Sequence, residues 1–274
     1  MIRRVMTAAL LLAVVFSGFV FPQLAWVLVV LTGIIAVGCT WELCTLLRPR
    51  GIRVYRRVAS WGVLALLLEA LLWDMRFSGL VFGLAICAAW LFRMPKKVEG
   101  AWADISATCF TMAYVGLPLA AVVVMFLATP ESEAWLLLML GIIWTTDSAA
   151  LIVGSRFGSI KMAPRISPGK TWEGAAGGLL GALLVVLFVR IAFPNAFADV
   201  SNLHLGLFAI FFSALGQLGD LAESLLKRDV GVKDSGSSLT GHGGFLDLMD
   251  AVLFAAIPLF VYLHIFHPQV LGGG

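Results

Sequence analysis

The sequence predicts an all-α, polytopic integral membrane protein of about nine transmembrane helices with its N-terminus in the cytoplasm. Three observations carry that expectation. Mean hydropathy is +0.99, and 61% of the 274 residues are hydrophobic. Charged residues make up 13% of the chain, about half of the roughly 25% usual in a soluble domain. Apolar runs able to approach or cross a hydrocarbon core about 30 Å thick recur from one end to the other.

Those runs centre on residues 5–21, 24–47, 58–73, 77–92, 105–128, 134–153, 175–193, 203–219 and 251–266, the third, fourth and eighth being short. The first follows Met1-Ile2-Arg3-Arg4, a charged start like that of a secretory signal. With eight further runs behind it, it is read as a retained helix. A cytoplasmic N-terminus puts Arg3 and Arg4, the arginines of 48–57, the bases of 93–97, those of 156–170 and those of 227–233 on one side. Only Arg76 and Arg190 fall on the other, as expected where basic loops stay cytoplasmic. Loops 154–174 and 220–250 then share the cytoplasmic face. We expect residues 1–133 to be a helical scaffold and 134–274 the region that carries chemistry.

In the scaffold, Glu42 and Asp104 lie near helix ends on the basic side, where pairing with Arg or Lys is expected, and Glu69 suits a packing or oligomer contact. The seventh run has Gly174, Gly177, Gly178 and Gly181 at i, i+3, i+4 and i+7, a face that lets a neighbouring backbone come close. The four cysteines all fall inside apolar runs, which suggests neither a disulfide framework nor a paired-cysteine zinc site. A net charge of +3 with its bases on one face reads as topology and contact with anionic membrane lipids, not as nucleic-acid binding.

Three constellations could carry chemistry. An ionised group costs roughly 2.5–3.5 kcal/mol at a bilayer centre, so such groups persist where they meet water, metal or substrate. Asp220, Glu223, Ser224 and Lys227 stand at helical spacing on one face; the plainer alternative is a helix end at the headgroups with a routine Glu223–Lys227 pair. Gly241-His242-Gly243-Gly244 precedes Asp247 and Asp250, three apart. Its glycines and helix N-terminus suit an anion, whereas Asp247 and Asp250 with Asp220 suit Mg²⁺, which takes one or two carboxylates plus phosphates and waters. The third is Ser167-Pro168-Gly169-Lys170-Thr171-Trp172-Glu173-Gly174, with Asp147 upstream as a further acid or metal ligand. It is no Walker loop, because the glycine required at 164 is Pro164.

Ser224…Lys227-Arg228, Lys233-Asp234-Ser235-Gly236, and Gly241-His242-Gly243-Gly244 with Asp247 and Asp250 closely resemble the signature of phosphatidate cytidylyltransferases, the CDP-diacylglycerol synthases. Residues 167–174 resemble a second block of that family, so the match spans about 144–251. The resemblance implies transfer of CMP from CTP to phosphatidate, with release of pyrophosphate. It implies Asp220 and Asp247 as metal ligands; Asp147, Asp234 and Asp250 as supporting acids; and Lys170, Lys227, Arg228, Lys233 and His242 as phosphate contacts. Ser167, Thr171, Ser224, Gly243 and Gly244 complete the expected substrate-binding set. Mg²⁺ is the expected cofactor, with a second cation left open, and relatives resemble homodimers. The chain departs from the pattern at Leu151, Thr240, Leu248 and Ala251, where the family usually has an aromatic, Pro, Arg and Ser. Arg228 is a base that could stand in at Leu248. Two alternatives remain at this stage: a CTP-dependent polyprenol or phytol kinase, and an ion-coupled transporter.

Overall fold

The structure is a computed structural model that describes residues 21–232, 235–236 and 244–271. Lys233, Asp234, His242 and Gly243, and nearly all of the first apolar run, lie outside the described residues. Each of the other eight runs is a helix. In order these are α1 (Ala25–Leu46), α2 (Arg56–Trp73), α3 (Ser78–Arg93), α4 (Ala101–Thr111), which continues through a π-turn at Met112–Gly116 into α5 (Leu117–Ala128), α6 (Pro130–Phe157), α7 (Trp172–Ala192), α8 (Asn202–Asp229) and α9 (Phe245–Phe266).

Among the described residues, six spans are long and apolar enough to cross a membrane. The helices that do not qualify are α2, which carries Arg56, Arg57 and Glu69, and α3, which has 16 residues. The chain is therefore a helical integral membrane protein. One element departs from the all-helical expectation: β1 (Lys161–Ala163) and β2 (Ser167–Thr171) pair antiparallel, with Lys161 opposite Thr171 and Ala163 opposite Ser167.

The chain divides into two compact units. The first takes its described residues from Met1–Leu127 and Val230–Met249, the second from Ala128–Asp229 and Asp250–Gly274. In the first unit, Asp104 pairs with Arg93 at 3.1 Å, as expected, and accepts a hydrogen bond from the Arg53 amide at 2.8 Å. Glu69 accepts from the Phe77 amide at 2.7 Å, closing a turn in which Asp74 and Met75 adopt positive φ. Arg56 lies 3.2 Å over the Trp41 ring, joining α2 to α1. Glu42 departs from the expectation of a basic partner: among the described residues it accepts from the Leu246 amide at 2.9 Å and the Ser235 hydroxyl at 3.3 Å.

In the second unit, local chemistry sets where helices begin. Thr129 caps α6 by accepting from the Ser132 amide at 3.1 Å, with Pro130 in the first turn beside Glu131 and Glu133. Thr171 caps α7 by accepting from the Gly174 amide at 3.1 Å. The glycine face of α7 lies on α6. A Cβ at Gly178 would stand 2.9 Å from the Thr146 carbonyl oxygen, and one at Gly181 2.9 Å from the Ala149 side chain. Gly219 of α8 meets α9 as closely, since its Cβ would lie 2.9 Å from the Ala251 Cα. At the far end, Trp135 packs among Phe197, Phe208, Tyr262 and His267.

Thr171→Ala is expected to lower stability by about 1 kcal/mol through loss of the α7 cap, whereas Thr171→Ser keeps it. Thermal unfolding of the detergent-solubilised variants checks this, and equal melting of Ala and wild type would show that the cap contributes nothing.

Candidate active site

A cleft of about 410 Å³ opens in the second unit, between α6, the hairpin, the start of α7 and the C-terminal part of α8. That volume suits a small-molecule ligand. Three segments distant in sequence build it. The last turns of α6 bring Asp147, Leu151 and Ser155; the second strand brings Ser167, Gly169, Lys170 and Thr171; and α8 brings Gln217 and Asp220. Glycines on both helices make this convergence feasible, because Gly154 of α6 and Gly174 of α7 let the two meet with almost no side chain between them.

The hairpin aims its lysine. Glu173, in the first turn of α7, accepts from the Ser159 hydroxyl and from the Ile160 amide, the latter at 3.1 Å, and so ties down the chain just before β1. Lys170 then reaches α8, where its ammonium lies 2.7 Å from Asp220 Oδ2 and donates to the Gln217 carbonyl at 3.2 Å. Asp220 is also bonded from within its own helix by the Ser224 hydroxyl, at 3.3 Å. Asp147 is exposed toward the cleft, and Asp147, Asp220 and Asp250 are close enough to act on one another electrostatically. Lys170 offsets part of that negative charge.

Most of the expected site residues of the second unit thus come together. Asp147, Ser167, Lys170, Thr171 and Asp220 line the cleft, with Ser224 and Asp250 adjoining Asp220. Arg228 turns to the hairpin, donating from Nε to the Ile166 carbonyl at 3.1 Å. Lys227 is held at 2.7 Å by Glu223, and Thr171 spends its hydroxyl oxygen on the helix cap. Gly244 and Asp247 belong to the first unit. There Asp247 Oδ2 accepts from the Gly244 amide at 2.7 Å, the Ser235 hydroxyl at 2.9 Å and the Ser235 amide at 3.3 Å. Gln217 is a cleft residue that the sequence did not flag. Its contribution is a backbone carbonyl, and a lone amide in an apolar run gives no sign of that.

Asp147, Asp220 and Asp250 repel one another, and a hard cation such as Mg²⁺ would offset that charge, although among the described residues no group of three acid, His or Cys side chains could hold a metal ion by itself.

A helical membrane protein with an acid-and-lysine cleft is suited to bind a phosphate compound together with a cation. The chain belongs to the Cytidylyltransferase family, whose model matches residues 2–266. It is 44% identical over 127 residues to the phosphatidate cytidylyltransferase of Haemophilus influenzae, a stretch covering 46% of this chain and 43% of that relative. To that of Bacillus subtilis it is 46% identical over 125 residues, covering 46% and 45%. To that of Pseudomonas aeruginosa it is 31% identical over 266 residues, covering 95% and 96%. The aligned stretch is therefore less than half of the first two relatives and nearly all of the third.

Proposed function

We propose that this protein transfers CMP from CTP to phosphatidate, giving CDP-diacylglycerol and pyrophosphate, at the cytoplasmic face of a bacterial inner membrane. The observation that carries the reading is the Lys170–Asp220 pair facing Asp147 in the cleft, within a chain that matches the family from residue 2 to 266.

In this reading a phosphate oxygen of phosphatidate attacks the α-phosphorus of CTP, and the bond from that phosphorus to the bridging oxygen breaks, so that pyrophosphate leaves with the electron pair. The nucleophile is already an anion, which removes any need for a dedicated base, His242 included. Lys170 exchanges its contact with Asp220 for a phosphate oxygen as the nucleotide enters. Asp220 and Asp147 would hold Mg²⁺, with Asp250 as a supporting acid, and the ion would supply positive charge to the phosphate oxygens. Ser167 offers a hydroxyl at the cleft wall, and Arg228 adds positive charge beside the hairpin. Asp247 is proposed as a metal-binding acid solely on the strength of the signature in which it stands. The homodimer implied by the resemblance belongs to the same proposal, and the mass of the detergent-solubilised particle tests it.

Purified protein with phosphatidate, Mg²⁺ and CTP labelled separately at the α- and γ-phosphates is expected to place α-label in the lipid and release pyrophosphate. Chelating the metal should remove that transfer. Label from the γ position in lipid would establish a lipid kinase instead, and no label from either position would overturn the enzymatic reading.

A further inference from the structure

The first unit buries a carboxylate that the proposed chemistry leaves unused. Glu42 sits near the C-terminal end of the apolar helix α1 with only 3% of its surface exposed. A buried acid at that position is costly unless its hydrogen bonds organise something. What it meets is the start of α9. Its Oε2 accepts from the Leu246 amide at 2.9 Å, one of the donors that a helix N-terminus leaves without an internal partner, and from the Ser235 hydroxyl at 3.3 Å. Its Oε1 has no hydrogen-bond partner among the described residues.

The same Ser235 hydroxyl lies 2.9 Å from Asp247 Oδ2. One hydroxyl carries one proton, so Glu42 and Asp247 compete for it, and each acid's placement depends on the other. The fit is close. A Cβ at Gly236 would come within 2.8 Å of Glu42 Oε1, and one at Gly244 would overlap the carboxylate. Backbone therefore packs directly on the acid.

We propose that Glu42 is a positioning residue for Asp247: it holds the Leu246 amide and shares Ser235, and so fixes where the Asp247 carboxylate points. This rests on the cytidylyl-transfer reading for its activity arm only. A displacement of about 1 Å at a reacting group can cost about a hundredfold in rate, and loss of the two acceptor contacts permits a shift of that size.

The test compares Glu42→Gln, which keeps an acceptor of the same length, with Glu42→Ala, which removes it. In Glu42→Ala, kcat is expected to fall by about a hundredfold and the Mg²⁺ concentration for half-maximal rate to rise by about tenfold. Glu42→Gln should restore both to within about threefold. Hydrogen exchange supplies a readout independent of activity: the amides of 244–247 should exchange about tenfold faster in Glu42→Ala, while those of Pro130–Phe157 stay unchanged. Wild-type exchange at 244–247 in Glu42→Ala would overturn the proposal. So would a Gln variant as inactive as the Ala variant, because the charge and not the position would then matter. If Glu42→Ala does not fold, Ser235→Ala carries the test through the same Mg²⁺ shift, and an unshifted requirement would overturn the proposal. Wild-type protein that transfers no nucleotide would sink the function while leaving the exchange comparison to decide the positioning.

Discussion

Asp220→Asn is expected to lower cytidylyl transfer by at least about a hundredfold while leaving the protein folded and inserted. The amide has the shape of the carboxylate, and its Oδ1 remains available to the Ser224 hydroxyl. What disappears is the charge at Oδ2, 2.7 Å from the Lys170 ammonium. Lys170 then loses its ionic partner, and the proposed Mg²⁺ loses a ligand. Melting should change little, because a partly exposed ion pair contributes little to stability. Label transfer from α-labelled CTP and thermal unfolding, measured on one preparation, separate the two effects. Near-normal turnover at saturating Mg²⁺ would remove Asp220 from the chemistry.

Gly178→Leu is expected to cost at least about 3 kcal/mol, a fall of about 10 °C in apparent melting for a protein of this size. Even a methyl group at Gly178 would stand 2.9 Å from the Thr146 carbonyl oxygen and 3.0 Å from its Cγ2, and leucine adds three more carbons. Neither helix can yield without cost. Thr146 is fully buried and within 3.1 Å of the Ser213 hydroxyl, so displacing it disturbs α8 as well as α6. The cleft lies along these helices, so activity should fall together with melting. Gly141→Ala is the control: its Cβ would meet only Val185, at an ordinary 3.6 Å, and no loss is expected. Unchanged melting of Gly178→Leu would mean that α6 and α7 are not held so close.

The two variants probe parts of the molecule that were unequally legible from the sequence. The helices were readable, since burial and lipid both demand apolar runs, and the close face of α7 was readable because its four glycines repeat at helical spacing. So was the polar end of α8: the apolar run stops near 219, but Asp220, Glu223, Ser224 and Lys227 keep helical spacing, and the helix does continue to Asp229 with Ser224–Asp220 and Lys227–Glu223 bonds along that face. The hairpin was read as a loop, for Ser-Pro-Gly-Lys-Thr has little strand propensity. Its pairing is fixed by Glu173 and by cross-strand partners, which no local pattern announces. Lys170, Asp147 and Asp220 could be nominated by residue type and signature, but their meeting in one cleft is a property of helix packing. Glu42 was the least legible, because its partners lie far down the chain and two of its contacts are glycine backbone.

That separation bears on how the protein is made. Glu42 and the Leu246 amide are 204 residues apart, and the first unit takes residues from both sides of the intervening Ala128–Asp229. A nascent chain therefore carries Glu42 of its second apolar run without its folded-state partner until the start of α9 has been synthesised. Early helices inserted by the ribosome cannot reach their final packing in order of emergence, and chains truncated before residue 235 should be conspicuous to membrane proteases however hydrophobic they are.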